Sequence, residues 1–244
     1  MKIYAHRGSS GTHPENTLAA FKEAARLEIF GVELDVHLTQ DDKLVVIHDE
    51  SINRTSNGKG FVRDLTLSEL RAYDFGNWFG DDFKGESIPT LEEVLKIFQN
   101  TAHHLNIELK SDIFEYEGMG DKVLHLVEKM GLAERVLISS FDHEAVRNFK
   151  KSAPLIEVAL VTMDVLVDAY DYARFIPADA LHISYPAALR KMTKEAMLKG
   201  AIIRVFTVNE VLDVQALQQI GVHAIFTDFP EKMKHVLEAG KIDK

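Results

Sequence analysis

The sequence predicts a (β/α)₈ barrel with a small insertion after the second strand. Its 244 residues are close to the ~250 typical of such barrels. Short apolar runs alternate with amphipathic segments along most of the chain, a pattern typical of strands followed by helices in a parallel sheet. Eight strand–helix pairs can be counted, and each connection is long enough for a parallel crossover. A doubly wound open sheet is the alternative that this count leaves open.

The predicted elements follow one another in regular order. Each predicted strand is a short, continuous apolar run, as expected for a parallel sheet that is buried on both faces. The predicted strands are Lys2–His6, Gly31–His37, Leu105–Lys110, Val136–Phe141, Ile156–Val161, Leu181–Ser184, Ile202–Thr207 and Ala224–Thr227. The amphipathic segments between them predict helices near Thr17–Glu28, Leu91–Asn100, Asp121–Met130, His143–Lys151, Asp164–Arg174, Lys191–Lys199, Val211–Ile220 and Glu231–Leu237.

The segment from about residue 39 to residue 89 does not fit this repeat. It continues with the apolar run Leu44–His48, a Gly/Asn-rich turn and the capping-box pattern Thr66-Leu-Ser-Glu69. An insertion after strand 2 lies at the barrel end where active sites form. We expect Trp78 and Phe79 to form its small core; a lid that contacts substrate is the alternative.

The start of the insertion predicts a hairpin that returns toward strand 2. If Asp41 and Asp42 form a tight turn, the ladder places His48 opposite Asp35. A longer loop would shift this register by a residue or two. In either case His48 comes back to the neighbourhood of Asp35.

Composition excludes several classes of function. A hydrophobic content of 46% allows a sizeable core, and a net charge of −10 argues against nucleic acid or anionic membrane as the main partner. The chain has no cysteine, which excludes disulfides, thiolate catalysis and zinc–thiolate sites. No low-complexity tract or linker interrupts it, so a single domain over residues 1–244 is the simplest interpretation. Lacking a leader-like or membrane-spanning apolar run, it is expected to be cytoplasmic and without stable membrane association. Monomer and homodimer both stay open.

The second predicted strand carries acids on a face that should be buried. Glu33, Asp35 and His37 alternate along Gly31–His37, so their side chains point the same way. Two buried carboxylates are costly unless their charge is compensated. A bound cation is therefore the first candidate for a partner.

Glu108 occupies the equivalent place on the next barrel strand. Together with Glu33 and Asp35 it offers three hard oxygen ligands, which suit Mg²⁺ or Ca²⁺ rather than a soft metal. The alternative is that each acid pairs with Lys or Arg inside the barrel, with Lys110 as one such partner. The three acids together favour a site for a divalent cation.

Two histidines are predicted to converge on these acids. His6 ends strand 1, and ionisable residues at the carboxyl ends of barrel strands are typical of active sites. Arg7 follows it with a planar group that matches phosphate oxygens, and Gly8 allows the chain to turn. His48 returns through the hairpin, so His6 and His48 are predicted to form an acid–base pair. The alternative is that His6 only ends the strand by bonding backbone.

Other polar residues are assigned structural roles. Thr17 or Asn16 is predicted to cap the first helix, with Glu15 and Asn16 also able to steady the groups of the site. Asp228 is interpreted as the cap of the last helix. The remaining histidines show no ligand spacing and are interpreted as structural; they are His103, His104, His125, His143, His182, His223 and His235.

In combination these residues resemble the glycerophosphodiester phosphodiesterase family. The motifs run in order over nearly the whole chain, and their order and spacing are more specific than any one of them. They are His6-Arg7-Gly8, Pro14-Glu15-Asn16-Thr17, Glu33-Leu-Asp35-Val-His37-Leu-Thr39, Val46-Ile-His48-Asp49, Arg54-Thr55, Asn106-Ile-Glu108-Leu-Lys110, Ser140-Phe141, Thr207-Val-Asn209 and Thr227-Asp228-Phe-Pro230. The family usually has Trp where this chain has Phe206, which keeps an aromatic face for substrate packing.

The resemblance implies a fold and a set of roles. The fold is a (β/α)₈ barrel with a small insertion after strand 2. Glu33, Asp35 and Glu108 would hold a divalent cation, Mg²⁺ or Ca²⁺, while His6 and His48 act as general acid and base. Arg7 and Lys110 would contact the phosphate and Phe206 the substrate. His37, next along the acidic strand, is expected on the rim just above the cation.

The implied reaction is hydrolysis of a small glycerophosphodiester, such as glycerophosphocholine or glycerophosphoethanolamine, to an alcohol and sn-glycerol 3-phosphate. Attack by the neighbouring glycerol hydroxyl, giving a cyclic phosphate, and direct attack by water both stay open. Two alternatives are a related barrel phosphodiesterase acting on lysophospholipids or inositol phosphodiesters, and a non-catalytic barrel that binds a phosphorylated metabolite.

Overall fold

A computed structural model describes residues 1–242 of the chain. Its strands are β1 Lys2–Ala5, β2 Gly31–Leu38, β3 Leu44–Val46, β4 His104–Leu109, β5 Val136–Ser140, β6 Glu157–Thr162, β7 Ala180–Ser184, β8 Ile202–Phe206 and β9 Ala224–Thr227. Its α-helices are α1 Leu18–Arg26, α2 Leu67–Leu70, α3 Leu91–Phe98, α4 Met119–Lys129, α5 His143–Ser152, α6 Ala169–Phe175, α7 Tyr185–Ala188, α8 Lys191–Leu198, α9 Val211–Ile220 and α10 Pro230–Ile242. No helix in this described part is long and apolar enough to cross a membrane.

Eight of the strands close into a parallel barrel. They follow the order β1-β9-β8-β7-β6-β5-β4-β2, and pairing of β1 with β2 completes the ring. The remaining strand, β3, pairs antiparallel with β2 on the outside. This closure confirms the predicted (β/α)₈ fold and excludes the open sheet. The predicted ends of the eight barrel strands lie within one residue of the observed ends.

Alternate side chains along each strand build two separate cores. The inward-facing set packs together inside the barrel and includes Tyr4, Leu137, Ala159 and Phe226. The outward-facing residues of the same strands, such as Leu34, pack against the surrounding helices in a larger core. Because both faces are apolar, the strands appear in sequence as continuous hydrophobic runs.

The predicted start of the fifth barrel helix is wrong. α6 begins at Ala169 and not at Asp164. Asp168 adopts a left-handed backbone conformation with φ of 53°, which a helix interior does not accommodate. The chain from Met163 to Asp168 is therefore a loop on the carboxyl side of β6. The four-residue α7 was not predicted; Pro186 lies at its start, where proline is favourable.

The segment between β2 and α3 has a small core of its own. Seven buried residues form it: Val45, Ile47, Ile52, Val62, Leu70, Phe75 and Ile88. Thr66 and Glu69 form the predicted capping box at the start of α2. The expectation that Trp78 and Phe79 make up this core is wrong. Trp78 is 40% exposed and packs edge-on against Phe79 near the surface, because its indole NH bonds the carbonyl of Phe75.

The hairpin register also differs from the tight-turn expectation. Val36 pairs with Val46, and the amide of Ile47 donates to the carbonyl of Asp35, so Ile47 and not His48 lies opposite Asp35. The loop contains three residues, Gln40 to Asp42, and Asp42 takes the left-handed conformation that such loops require. His48 therefore lies one residue beyond the position opposite Asp35.

Candidate active site

The three predicted acids meet at the carboxyl end of the barrel. Asp35 on β2 is in register with Glu108 on β4, and Glu33 lies on the same face of β2. One carboxylate oxygen from each lies within 4.8 Å of the other two. Glu33 and Asp35 are buried. Adjacent parallel strands thus place three oxygen donors around one point.

Neighbouring basic side chains compensate the negative charges of the three carboxylates unequally. Lys110 Nζ lies 3.1 Å from Glu108 Oε1, and Arg7 Nε lies 3.4 Å from Asp35 Oδ2. Asp35 also accepts a 2.8 Å hydrogen bond from Asn16 Nδ2. Glu33, in contrast, accepts only the backbone amide of Arg7 among the described residues, at 2.8 Å. The expected pairing of acids with basic residues therefore covers two of the three carboxylates.

The pKa values reflect this imbalance. Burial, Asp35 and Glu108 raise the pKa of Glu33 well above its usual value. Burial also raises the pKa of Glu108, and Lys110 offsets only part of that effect. For Asp35, burial is outweighed by the positive charges of His48, Arg7 and Lys110, so its pKa is lowered. A cluster of three hard oxygen donors with incomplete compensation fits a divalent cation such as Mg²⁺ or Ca²⁺.

Arg7 and Gly8 form the turn that brings β1 to this cluster. Both have positive φ, 55° at Arg7 and 81° at Gly8. A Cβ on Gly8 would lie 2.8 Å from Ala20 of α1, so only glycine allows this approach. The turn directs the Arg7 amide at Glu33, and Thr17 caps α1 behind it, as predicted.

His6 is held by an aspartate from the other end of the chain. Its Nδ1 lies 2.7 Å from Asp228 Oδ1, and Asp228 in turn accepts from Asn209 Nδ2 at 2.6 Å and from Ser10 Oγ at 3.0 Å. The interpretation of Asp228 as a helix cap is wrong, because α10 begins at Pro230 and the Asp228 side chain points to His6. Burial would raise its pKa, but the hydrogen bond to His6 and the charge of His6 lower it to about 2.

This depressed pKa predicts a pH-dependent contribution of Asp228 to stability. The pKa of Asp228 falls from its usual 3.8 to about 2 in the folded protein, so its ionised carboxylate stabilises the fold at higher pH. This stabilisation is lost as the pH falls from 3.8 to about 2. Between pH 6 and pH 3, the difference in unfolding free energy between the native chain and Asp228→Asn should shrink by about 1 kcal/mol. Urea denaturation at the two pH values measures it. A constant difference would show that Asp228 is not held ionised by His6.

His48 has a matching carboxylate partner. Its Nδ1 lies 2.7 Å from Asp49 Oδ1, and Arg54 donates to both oxygens of Asp49 at 2.8 and 2.9 Å. Arg54 also donates twice to Glu15, which accepts from Arg7 Nη1 at 2.8 Å. The hydrogen bond to His48 is the largest of the effects that lower the pKa of Asp49. A series of ion pairs through Asp49, Arg54 and Glu15 thus connects His48 to Arg7.

His37 does not lie on the rim, where it was expected. It is fully buried, with Nε2 3.1 Å from the backbone oxygen of His48 and Nδ1 3.1 Å from the hydroxyl of Tyr116. A carbonyl only accepts, so Nε2 carries the proton and Tyr116 donates to Nδ1. The strand pattern correctly predicted the face of His37, but Tyr116, from the loop before α4, covers that face.

A cavity of about 410 Å³ opens beside these groups. Its polar wall contains His6, Arg7, Glu33, Asp35, His48 and Glu108. Its apolar wall contains Phe141, Val161, Met163, Tyr185, Pro186, Phe206 and Phe226. Phe206 thus lies on the wall of this cavity. Lys110 does not line the cavity; its ammonium group contacts Glu108 and lies 5.6 Å from the ring centroid of Phe141.

Sequence reasoning placed the segments of Asn209 and Asp228 on the catalytic rim, but it gave neither these residues nor Asp49 a role in supporting the histidines. A usable signal was present for Asp228, since it directly follows β9 as His6 directly follows β1. The rule that selects polar residues at the carboxyl ends of barrel strands selects both. Asp49 could have been selected only with the hairpin register known.

The barrel and the polar cavity at its carboxyl face together define a (β/α)₈ enzyme. Residues 6–232 match the glycerophosphoryl diester phosphodiesterase family. The chain belongs to this family, and it is an enzyme that hydrolyses glycerophosphodiesters.

The alignments with its relatives extend over almost the whole chain. The glycerophosphodiester phosphodiesterase of Bacillus altitudinis is 42% identical, over 98% of this chain and 99% of its own length. The glycerophosphodiester phosphodiesterase of Caldanaerobacter subterraneus subsp. tengcongensis is 40% identical, over 98% of each chain. A phosphodiesterase of Oleispira antarctica, solved with its product sn-glycerol-3-phosphate, is 29% identical with a TM-score of 0.88, over 98% of this chain and 97% of that one.

Proposed function

We propose that His6 and His48 are the general acid and base of a metal-dependent hydrolysis of glycerophosphodiesters. The observation that carries this proposal is their paired support within one cavity. Each histidine has its Nδ1 on a carboxylate at 2.7 Å, and both line the cavity beside the three acids. With Nδ1 engaged, Nε2 is the nitrogen of each ring that can exchange a proton with substrate.

Glu33, Asp35 and Glu108 are the groups that would hold the divalent cation. When bound, such a cation supplies positive charge at the phosphate oxygens and helps to position the phosphodiester. Asn16 and Lys110 keep two of the carboxylates in place through their side-chain contacts. The ligands must be ionised, so the raised pKa values of Glu33 and Glu108 favour binding at neutral to alkaline pH.

Arg7 provides fixed positive charge on the same wall. Burial would lower its pKa, but Asp35, Glu15 and Glu33 raise it, so the guanidinium stays charged. Its contacts with Glu15 and Asp35 hold the side chain against the cavity, where a phosphate oxygen can reach it. Lys110 would act on phosphate through its charge from behind the acids, since it does not line the cavity.

The size of the cavity fits a small substrate. A volume of about 410 Å³ lies in the range of small-molecule sites and accommodates glycerophosphocholine or glycerophosphoethanolamine. The products would be an alcohol and sn-glycerol 3-phosphate, the product bound to the Oleispira antarctica relative. The chain is proposed to act as a cytoplasmic enzyme on such soluble metabolites.

One observation favours lysophospholipids as a second class of substrate. The loop after β6 exposes Met163, Val165 and Val167, by 67%, 47% and 83%, and Met163 also lines the cavity. An apolar rim of this kind can accept a fatty chain that leaves the cavity. Glycerophosphocholine has no such chain and does not need this loop.

An activity panel tests both assignments. Glycerophosphocholine, glycerophosphoethanolamine and lysophosphatidylcholine should each be tested with Mg²⁺, with Ca²⁺ and with EDTA, and the choline or ethanolamine released from each should be measured. We expect metal-dependent cleavage of the two soluble diesters. Cleavage of lysophosphatidylcholine alone would replace the main proposal with the second. If EDTA changed nothing, the cation would be wrongly assigned.

The hydrogen bond from His37 to His48 leads to a further prediction. His37→Leu removes the donor and leaves the His48 carbonyl unsatisfied, so kcat should fall about tenfold, the equivalent of roughly 1.4 kcal/mol, while KM changes little. His37→Gln keeps an NH donor and should restore much of the loss. Steady-state kinetics on both variants measures this. Equal losses in the two variants would mean that packing, and not the hydrogen bond, is what His37 provides.

A further inference from the structure

Two polar side chains lie at the inner end of the cavity. Asn106 on β4 and His182 on β7 both line it and are only 1% and 2% exposed. Each precedes by two residues a position on the same strand face, Glu108 and Ser184, so both lie one layer deeper in the barrel. β4 and β7 are three strands apart in the ring of eight, so the two side chains approach the cavity from different sides.

The proton position on His182 is determined by Arg204. Arg204 Nη1 lies 3.1 Å from His182 Nε2, and arginine can only donate, so Nε2 accepts and Nδ1 carries the proton. Glu157 holds the same guanidinium from the other side. Burial and the charge of Arg204 lower the pKa of His182 well below its usual value, which keeps the ring neutral. In the described part of the chain no group accepts a hydrogen bond from Nδ1.

Asn106 offers the complementary group, a hydrogen-bond acceptor without a partner in the described part of the chain. Its Oδ1 is buried and accepts no hydrogen bond from any residue that the structure describes. Buried polar atoms without partners are uncommon in folded proteins, and each requires an explanation. One free donor and one free acceptor at the base of a cavity are explained by a ligand group that can both donate and accept.

The surroundings restrict what that group can be. The ring of Phe226 lies 4.9 Å from that of His182, and Val161 adds a further apolar wall. The phosphodiester anion of the substrate has no proton to donate to Asn106 and belongs with the cationic groups above. A hydroxyl on a short carbon chain satisfies both polar atoms and packs its methylene against the apolar walls.

We propose that Asn106 and His182 bind the terminal hydroxyl of the glycerol moiety. This inference rests on the proposed function, in which the phosphate lies in the layer of His6, His48 and the acids. The terminal hydroxyl is the part of glycerol 3-phosphate furthest from phosphorus, so it reaches deepest into the barrel. The two residues would thus distinguish glycerol from other alcohols of the diester.

The first test removes the hydroxyl from the ligand and leaves the enzyme unchanged. Calorimetry compares sn-glycerol 3-phosphate with propane-1,2-diol 1-phosphate, which lacks only the terminal hydroxyl. We expect the second compound to bind about tenfold more weakly. Equal affinities would overturn the proposal.

The second test removes the protein groups. His182→Phe and Asn106→Leu should each weaken sn-glycerol 3-phosphate about tenfold and leave the propanediol compound unchanged. His104→Phe, at the opposite end of the same barrel strand as Glu108, is the control and should change neither affinity. Equal weakening of both ligands by the two site variants would overturn the proposal, as would loss of Ca²⁺ affinity in Asn106→Leu, which would place Asn106 in the cation site.

These outcomes separate the inference from the proposed function. If glycerophosphocholine is not cleaved but the terminal hydroxyl still accounts for the affinity difference, the proposed function is wrong and the subsite stands. If His182→Phe does not fold because Arg204 loses its acceptor, Asn106→Leu and the comparison of ligands on the native enzyme still decide the matter.

Discussion

Replacing His6 or His48 with alanine should lower kcat by about 10²- to 10⁴-fold, the usual contribution of one positioned acid or base. KM should change much less, since the cavity walls and Arg7 are retained. The double variant should lose less than the product of the two factors, because groups that act in one step are not additive. Steady-state kinetics with glycerophosphocholine measures these values.

The matched control is His125→Ala on α4, an exposed histidine outside the cavity. It should keep native kinetics. A loss of less than tenfold in His6→Ala or His48→Ala would assign that residue a structural role. Thermal denaturation of each variant shows whether the fold is retained, so that loss of activity is attributed to the missing imidazole.

Removing the divalent cation should abolish activity and also lower stability. At a free concentration of 100 times Kd, a bound cation contributes about 2.7 kcal/mol, which for a chain of this length raises Tm by about 5 to 11 °C. Chelation should reverse this shift. Differential scanning calorimetry with Mg²⁺, with Ca²⁺ and with EDTA measures it independently of turnover.

The stabilisation by the cation should grow with pH. The pKa values of Glu33 and Glu108 are raised in the fold, so their contribution to stability is complete below their unfolded values and is lost as pH rises. In the cation-free protein the contribution of these two acids to stability should therefore fall from about pH 4.3 upward, and cation binding should compensate more at pH 8 than at pH 5. Glu108→Gln should reduce the Tm shift. An unchanged shift in this variant would contradict the assignment of Glu108 as a ligand.

The layout of the site was largely predictable because it depends on strand periodicity. Alternation along β2 correctly predicted that Glu33 and Asp35 share a face, and barrel geometry placed Glu108 beside them. Strand periodicity specifies the direction in which a side chain points, but it specifies neither the depth of that side chain in the barrel nor the residues that cover it. His37 was therefore expected on the rim, whereas Tyr116, 79 residues further along the chain, closes over it.

Other features depended on details that patterns do not carry. The hairpin register follows the longer-loop alternative, one residue from the tight-turn expectation, because whether a loop has two or three residues depends on backbone energetics at Asp42. Asp228 was misassigned because its partner His6 lies 222 residues away in sequence. The start of α6 moved because a left-handed Asp168 interrupts a segment whose apolar pattern is compatible with a helix.

The pairing of β1 with β9 has a consequence for biosynthesis. His6 leaves the ribosome 222 residues before Asp228, yet the two must form one hydrogen bond. A nascent chain, or one cut short by premature termination before Asp228, cannot orient its first histidine. We therefore expect that catalytic power appears only after the segment of β9 and Asp228 has been synthesised, so that chains released before this point cannot hydrolyse glycerophosphodiesters.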